Sequence, residues 1–253
     1  MKATDRQKAI MQILQKNNSI RISQVSEIFG VSNETARRDL EYLQKKKLLR
    51  RVHGGAVLES AAPFRFEESQ HSENPSSLQE MLAQAGAELV SDNDIIFIGH
   101  GTTMQYLSRY LRQRSGITVL TNSQLVINEL MGSDVTLYSL GGLIDPDEQN
   151  MNGSIPISTI QKFYANKAFI SCGGATINDG ITDYNSDGTL LNLMLMHAEK
   201  RYLVASSNKF GRNAFGKVCE LQDFSGIICD NGLDPEYREA IIQMNIDLHL
   251  IEI

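Results

Sequence analysis

Short apolar runs alternate with amphipathic segments along the chain from Leu78 onward. Each run is four to six residues long, and the segments between many of them carry apolar residues at helical spacing. This alternation is typical of a largely parallel sheet that is covered by helices on both faces. We therefore predict a doubly wound α/β domain. Its predicted strands cover residues 94–98, 117–120, 135–140, 168–171, 202–205, 226–229 and 246–251.

The first 58 residues have a different pattern, in which three amphipathic helices precede a hairpin. Residues 4–16 form the first predicted helix, Ser23 is expected to cap the second, and Ser32 is expected to cap the third. Gly30 stands between the second and third helices, at a position that suits the left-handed end of a helix. Two β-prone runs then meet at the His-Gly-Gly turn of residues 53–55. This order predicts a winged helix-turn-helix, whose recognition helix enters the major groove of DNA.

The residues expected to contact DNA lie early on the third helix and in the hairpin. Arginine can hold a phosphate through two N–H groups, so paired arginines suit a nucleic-acid backbone. The competing interpretation is a three-helix cap in which Asp39 and Glu41 pair with Arg37 or Arg38. The candidate DNA contacts are Ser32, Asn33, Thr35, Arg37, Arg38, Arg50, Arg51 and His53.

Charge is divided unequally along the chain. Residues 1–58 carry 12 Lys and Arg against 5 Asp and Glu, a net charge of +7, whereas the remaining residues carry 12 against 25, a net charge of −13. A basic part joined to an acidic part is expected when only one of them must approach phosphates. We predict a DNA-binding head over 1–58, a linker over 59–77 and a larger body over 78–253, with a double-stranded DNA operator as partner.

Other features narrow the class of protein. The chain has no run of about 18 apolar residues, and its first residues lack the apolar centre of a signal peptide. We therefore expect a cytoplasmic protein that does not bind a membrane. Three cysteines far apart predict reduced thiols. Because neither a GxSxG turn nor a metal-binding histidine spacing occurs, we expect no catalytic residue, no metal and no cofactor.

Turns rich in glycine, threonine and asparagine follow five of the predicted strands. In an open parallel sheet, ligands bind outside the carboxyl ends of the strands. Backbone N–H groups in such turns can hold a phosphate, and Lys209 adds a cation. His100 either contacts the ligand or is a solvated loop residue. The candidate effector-binding residues are Gly99, His100, Gly101, Thr102, Thr103, Thr121, Asn122, Gly141, Gly142, Gly173, Gly174, Asp183, Asp187 and Lys209.

Two motifs in the head resemble the signature of a known protein family. They are Ser32-x-x-Thr35-Ala36-Arg37-Arg38-Asp39-Leu40 and Arg51-Val52-His53-Gly54-Gly55-Ala56, and they are similar to those of the DeoR/GlpR family of bacterial transcriptional regulators. The resemblance continues through the body. It implies an operator-binding repressor of carbohydrate or nucleoside catabolism genes. It also implies an effector domain that is shaped like sugar-phosphate isomerases such as ribose-5-phosphate isomerase.

The body departs from the family pattern at several positions. Gly99 stands where family members carry the aspartate of Asp-x-Gly-Thr-Thr. The family's glutamate followed four residues later by lysine corresponds here to Asp187 and Leu191. The family's Asp-x-Ser-Lys-Phe becomes Ser206-Ser207-Asn208-Lys209-Phe210, so the aspartate of that motif is also replaced. A phosphorylated sugar remains the leading effector class.

These features together predict a homo-oligomeric repressor, a dimer or tetramer, whose heads occupy two half-sites and are released when the body binds its effector. Two other functions stay open on the sequence. One is a sugar-phosphate isomerase-like enzyme with an appended DNA-binding head, in which Asp183 or Asp187 would supply the base. The other is a DNA-binding scaffold that takes no ligand.

Overall fold

The computed structural model describes residues 3–17, 19–46, 48–52, 54–58, 77–146, 148–184 and 188–253. The candidate residues His53 and Asp187 lie outside these ranges, as does the predicted linker apart from Ser77. The backbone of Arg50 is described, but its side chain is not. Below, the head denotes the described residues up to Leu58, and the body denotes those from Ser77 onward.

The head combines three helices with a small antiparallel sheet. Its elements are α1 Ala3–Asn17, β1 Ser19–Arg21, α2 Ile22–Phe29, α3 Asn33–Lys45, β2 Leu49–Val52 and β3 Gly55–Leu58. Strand β3 lies between β1 and β2. Apolar residues spaced along α1 and α3, among them Ile10, Leu14 and Leu40, are buried in one common core. The winged helix-turn-helix predicted for the head is confirmed.

The turn between α2 and α3 follows from two residues. Gly30 adopts a left-handed φ of 62°, and the Ser32 hydroxyl accepts a hydrogen bond from the N–H of Thr35 at 3.2 Å. The cap predicted at Ser23 is wrong, because α2 already begins at Ile22 and its N-cap position is Arg21. Arg21 pairs with Gly55 as the last residue of β1, so the strand leads directly into the helix.

The body contains a longer series of elements. They are α4 Ser77–Glu88, β4 Ile95–Ile98, α5 Thr102–Leu111, β5 Thr118–Thr121, α6 Gln124–Leu130, β6 Thr136–Ser139, β7 Leu143–Asp145, β8 Asn150–Asn152, α7 Ser154–Ile160, β9 Ala165–Ile170, β10 Gly174–Thr176, β11 Gly180–Asp183, α8 Thr189–Met196, β12 Ala198–Val204, β13 Gly216–Cys219, β14 Gly226–Asp230, α9 Pro235–Gln243 and β15 Asp247–Ile251. Short 3₁₀ turns cover Ser207–Lys209 and Leu221–Asp223. No helix in the described ranges is long and apolar enough to cross a membrane.

Seven of these strands form one parallel sheet, in the order β15-β14-β12-β9-β4-β5-β6. All seven were predicted from the apolar runs, and the doubly wound α/β fold class is confirmed. Successive residues of a strand enter opposite cores: Phe97 packs on one face of the sheet, and Ile96 and Ile98 pack on the other. Both faces are therefore covered, as a parallel sheet requires.

Several short elements were not predicted from the sequence. Strands β7 and β8 form a hairpin, and β10, β11 and β13 form a second antiparallel sheet beside the main one. These strands have only three or four residues and are interrupted by glycine, asparagine and aspartate. A period of two cannot be recognised over so few residues.

The three thiols provide a test of the packing. Cys172, Cys219 and Cys229 are buried, and burial raises the pKa of Cys172 and of Cys229 to about 12 and also raises that of Cys219. Since the thiolate is the reactive form, the folded protein should react only slowly with Ellman's reagent at pH 8, and all three thiols should react after unfolding in urea. Rapid reaction of any thiol in the folded protein would contradict this arrangement.

Candidate functional site

The first half of α3 presents a polar surface to solvent. Its candidate residues Ser32, Asn33, Thr35, Arg37 and Arg38 are all exposed or half-buried. Arg37 is exposed and forms no ion pair with any described residue. The guanidinium of Arg38 lies 3.5 Å from the Glu34 carboxylate, but both side chains are largely in solvent, where such a pair contributes little. Both arginines are therefore available to an external anion.

Two acidic residues of α3, Asp39 and Glu41, pair with partners that the sequence did not indicate. Asp39 is buried against Arg6, with 2.5 Å between Nε and Oδ2, and it also accepts a hydrogen bond from Gln7 at 2.9 Å. Glu41 pairs with Arg51 at 2.6 Å. The described residues therefore do not form the salt-bridged cap in which Asp39 or Glu41 pairs with Arg37 or Arg38.

The hairpin after α3 depends on its two glycines. Gly54 has a φ of +87°, which side chains rarely tolerate. A Cβ atom on Gly55 would lie 2.3 Å from the carbonyl oxygen of Ile20, so the close pairing of β1 with β3 requires glycine there. Of the candidate residues in the hairpin, Arg51 is half-buried beside Glu41.

In the body, the candidate turns lie at the carboxyl ends of strands in the main sheet. Strands β4 and β9 are neighbours, but the chain leaves them toward opposite edges of the sheet, and such a reversal opens a crevice that commonly holds a ligand. Gly101, with a φ of +104°, ends the turn after β4 and is the N-cap residue of α5. The first N–H groups of α5, including those of Thr102 and Thr103, have no acceptor within the helix. We call this region the carboxyl-edge site.

A hydrogen-bonded histidine and aspartate lie at the carboxyl-edge site. Nε2 of His100 lies 2.9 Å from Oδ2 of Asp183, and the two side chains are 12% and 10% exposed. Burial alone would raise the pKa of Asp183, but the attraction of His100 and the hydrogen bond from its ring lower that pKa below its usual value. Nδ1 of His100 is buried and has no hydrogen-bond partner among the described residues, which leaves it available to a ligand.

The lowered pKa of Asp183 predicts a pH-dependent effect of replacing it. The charged carboxylate stabilises the folded chain at pH values above the unfolded pKa of about 3.9, and this contribution disappears as the pH falls through the lower folded pKa. We expect Asp183→Asn to reduce the free energy of unfolding by about 1–3 kcal/mol at pH 7. In urea titrations, the difference from the wild type should shrink toward pH 3. A difference that does not depend on pH would contradict the lowered pKa of Asp183.

Two cations lie near the end of β9. Burial raises the pKa of Cys172, whereas the charges of Lys209 and Arg212 act in the opposite direction because both lie close to this thiol. Nζ of Lys209 is 6.0 Å from the centre of the Tyr184 ring. Nε and Nη2 of Arg212 are buried without a hydrogen-bond partner among the described residues. A buried guanidinium in this condition favours binding of an external acceptor.

Arg212 was missed by sequence reasoning, which counted Lys209 as the cation of the site. The sequence feature that could have indicated Arg212 is its position three residues after Lys209 and directly after Gly211. Two backbone contacts bring Arg212 to the site. Phe210 forms an isolated parallel β-bridge with Ala175, and the N–H of Gly211 donates to the carbonyl oxygen of Ala175 at 2.9 Å. These are contacts between residues far apart in the chain.

The turn after β5 contributes buried amides. Asn122 is 1% exposed, and its Nδ2 donates to the carbonyl oxygen of Met151 at 3.1 Å. Its Oδ1 and the Nδ2 of Asn150, from the β7–β8 hairpin, are buried without partners among the described residues. The hydroxyl of Thr121 already takes part in a hydrogen bond within the turn, because it accepts from the N–H of Ser123 at 3.0 Å. Asn150 is a further polar residue of this region that the sequence did not indicate.

The remaining glycines of the candidate set contact protein rather than open space. A Cβ atom on Gly173 would lie 2.7 Å from that of Ala214, and one on Gly174 would lie 2.3 Å from the carbonyl oxygen of Arg212. A Cβ atom on Gly142 would lie 2.7 Å from the carbonyl oxygen of Asn152. Gly141 and Gly142 have left-handed φ angles of 70° and 123°. These positions permit close approach of neighbouring segments, a structural role that accompanies any contact with a ligand.

Two positions that differ from the family pattern lie against each other. A Cβ atom on Gly99 would lie 3.1 Å from Cδ2 of Leu191 and 3.3 Å from Cγ2 of Ile170. A carboxylate at position 99 would therefore meet apolar groups. The charged groups near the site are supplied instead by His100, Asp183 and the two cations.

A separate depression of about 440 Å³ lies at the amino ends of the strands and is lined by Ile95, Tyr164, Ala165, Asn166, Met196, His197, Ala198 and Glu199. Two of its polar groups already have partners: Oδ1 of Asn166 accepts from the N–H of Ile95 at 2.9 Å, and Nδ1 of His197 lies 3.0 Å from the carbonyl oxygen of Phe163. It therefore has less to offer a polar ligand. Among the described residues, no three His, Cys, Asp or Glu side chains are grouped so as to hold a metal.

Comparison with known families gives matches for both parts of the chain. Residues 6–62 match the model described as the DeoR-like helix-turn-helix domain, and residues 76–231 match the model described as the DeoR C terminal sensor domain.

Similar curated proteins match nearly the whole chain. The lactose phosphotransferase system repressor of Lactococcus lactis subsp. lactis is 33% identical, over 92% of this chain and 93% of that protein. The uncharacterized HTH-type transcriptional regulator YulB of Bacillus subtilis (strain 168) is 32% identical, over 95% and 94%. Among solved structures, ribose 5-phosphate isomerase A of Methanocaldococcus jannaschii gives a TM-score of 0.40 at 14% identity, over 54% of this chain and 55% of that one, which is too low to support a functional inference.

Proposed function

The chain belongs to the DeoR family of transcriptional regulators, and on this basis we propose that it is a DNA-binding repressor of carbohydrate catabolism genes. The observation that carries this proposal is the exposed Arg37 on α3, which has no acidic partner among the described residues. An exposed, unpaired arginine early on the recognition helix is suited to contact a base edge or a phosphate. The net charge of +7 on residues 1–58 supports the same role.

The proposed DNA contacts and effector contacts remain those predicted from the sequence, with Arg212 and Asn150 added to the effector set. The effector is proposed to be a phosphorylated sugar. The first-turn N–H groups of α5, Lys209 and the unpartnered guanidinium of Arg212 suit a phosphoryl group. Nδ1 of His100 and the buried amide of Asn122 suit sugar hydroxyls.

Binding to an inverted repeat needs at least two heads, so we propose a dimer or tetramer. Support comes from exposed apolar side chains on the β7–β8 hairpin and on α7. Leu143 is 78% exposed, Ile144 57% and Ile155 59%. Apolar side chains that are exposed together are typical of surfaces that associate.

The isomerase-like alternative is less favoured. A catalytic base must be positioned and must retain affinity for a proton. Asp183 is already engaged by His100, and its lowered pKa makes it a weaker base than an ordinary carboxylate. Asp187, the other candidate base, lies outside the described residues. Because similar curated proteins are named as a transcriptional regulator and a repressor, we propose that the chain has no catalytic activity. Its cytoplasmic location also remains a prediction.

The decisive experiment is selection of a binding site by the intact protein from a pool of random DNA duplexes at low ionic strength. Enrichment of a common sequence, which we expect to be an imperfect inverted repeat, supports the proposal, and failure to enrich any sequence would refute it. A thermal-shift screen of pentose and hexose phosphates then identifies an effector, which should lower the affinity for the selected duplex. If the protein itself catalyses conversion of any of these sugar phosphates, the isomerase-like enzyme is favoured instead.

A further inference from the structure

The turn of the hairpin in the head packs against one aromatic residue of the body. Phe215 precedes β13 and is 6% exposed. A Cβ atom on Gly54 would lie 3.7 Å from Cζ of the Phe215 ring, and one on Gly55 would lie 2.7 Å from Cε2. The ring therefore occupies the space that a side chain at Gly55 would need, and it is in ordinary van der Waals contact with the position of Gly54. The absence of a side chain at Gly55 allows the hairpin to approach the body this closely.

Arg21 reinforces the same contact. Its Nη2 donates to the carbonyl oxygen of Phe215 at 3.3 Å, and its guanidinium carbon lies 5.8 Å from the centre of the ring. A guanidinium at this distance from an aromatic ring is attracted to it. The N–H of Ile22 donates to the carbonyl oxygen of Gly54 at 2.9 Å, so Arg21 and the turn are held together as one unit on the head side.

The segment that carries Phe215 also reaches the carboxyl-edge site. The N–H of Phe215 donates to the carbonyl oxygen of Asp183 at 3.0 Å, and the N–H of Ala214 donates to the hydroxyl of Thr182 at 2.8 Å. Asp183 is the residue that pairs with His100, and Arg212 lies three positions before Phe215. The segment of residues 214–215 therefore connects the hairpin contact to the charged groups of the site, because it is hydrogen-bonded to Thr182 and Asp183.

We propose that Phe215 and its backbone form a docking surface for the hairpin of the head, and that the docked hairpin opposes DNA binding. While the hairpin is docked, the Phe215 ring packs against the turn and the Phe215 carbonyl oxygen accepts a hydrogen bond from Arg21, so the hairpin is held on the body and is not free to approach a DNA backbone. An effector held by Lys209 and Arg212 would fix residues 209–216 and so favour the docked arrangement by linkage. This inference rests on the function proposed above and specifies how the body controls the head.

The test uses the full chain and the duplex that the wild-type protein selects. Phe215→Ala should bind this duplex about fivefold or more tightly than the wild type in fluorescence anisotropy, because the coupling between two such sites is commonly of that size. Phe215→Leu should shift the affinity in the same direction by less. Phe224→Leu is the matched control, because Phe224 is buried in the core of the body and should leave the affinity unchanged.

Hydrogen exchange gives a second measurement on the same proteins. In Phe215→Ala without DNA, amides in residues 54–56 should exchange faster than in the wild type, whereas those of β4 and β9 should not change. Unchanged or weaker DNA binding by a folded Phe215→Ala would overturn the inference, and if that variant does not fold, Phe215→Leu decides on the same terms. If the wild type selects no duplex, the proposed function fails rather than the docking surface.

Discussion

Replacing Arg37 with alanine is expected to weaken binding to the selected duplex about tenfold or more. Arg37 is exposed early on α3 and has no acidic partner among the described residues, so its full charge and hydrogen-bonding capacity are available to DNA. A well-formed contact between arginine and a guanine edge contributes roughly 1–3 kcal/mol of discrimination, which corresponds to this loss. Fluorescence anisotropy at several salt concentrations measures the effect.

The salt series also separates the two kinds of contact that Arg37 could make. Loss of a base contact should relax the preference for the selected sequence, whereas loss of a phosphate contact should lower the affinity for all duplexes and reduce the salt slope by about one. Lys8→Ala is the matched control, because it removes one positive charge from an exposed position on α1 of the same head. Equal effects of the two substitutions would argue against α3 as the recognition helix.

The second large effect is expected at Lys209. Lys209→Ala should abolish the response of DNA binding to the effector found by thermal shift, while the affinity for DNA without effector stays within about twofold of the wild type. The physical reason is that the cation near the end of β9 is proposed to hold the phosphoryl group, and a charge-assisted contact of this kind is difficult to replace with water. Arg212→Ala should have the same effect, since Nε and Nη2 of Arg212 are buried without a partner among the described residues.

A matched control for Lys209 is available on the same domain. Lys200 is exposed in the first half of β12, away from the carboxyl ends of the strands, so Lys200→Ala changes the charge of the body equally without touching the site. It should respond to the effector as the wild type does. If Lys209→Ala and Arg212→Ala both retain a normal response, the effector binds elsewhere.

The fold was predictable because its signals are local. Each strand of the main sheet includes apolar residues that mark it in the sequence, although the first halves of β9 and β12 also contain polar residues. Gly30 and Ser32 mark the turn before α3 by their own backbone and hydrogen-bonding preferences. Ser23 was misassigned for a related reason: capping chemistry is common to many serines, and the pairing of Arg21 with Gly55 decides where α2 begins. That pairing joins residues 34 positions apart, which no local pattern contains.

The candidate site was predictable only in outline. The turns that follow the strands could be named, because parallel topology brings their ends to one edge. The partners of their side chains could not be named, since His100 meets Asp183 across 83 residues and Arg21 meets Phe215 across 194. Glycine pairs illustrate the difference: the sequence marks residues 54 and 55 as a turn, but only the structure gives the reason why Gly55 lacks room for a side chain.

The buried pair between Arg6 and Asp39 has a practical consequence for handling the protein. It joins α1 to α3 through the interior of the head, so α1 is part of the same folded unit as the recognition helix. Removing the residues up to and including Arg6 would leave the carboxylate of Asp39 buried in the head without its cationic partner.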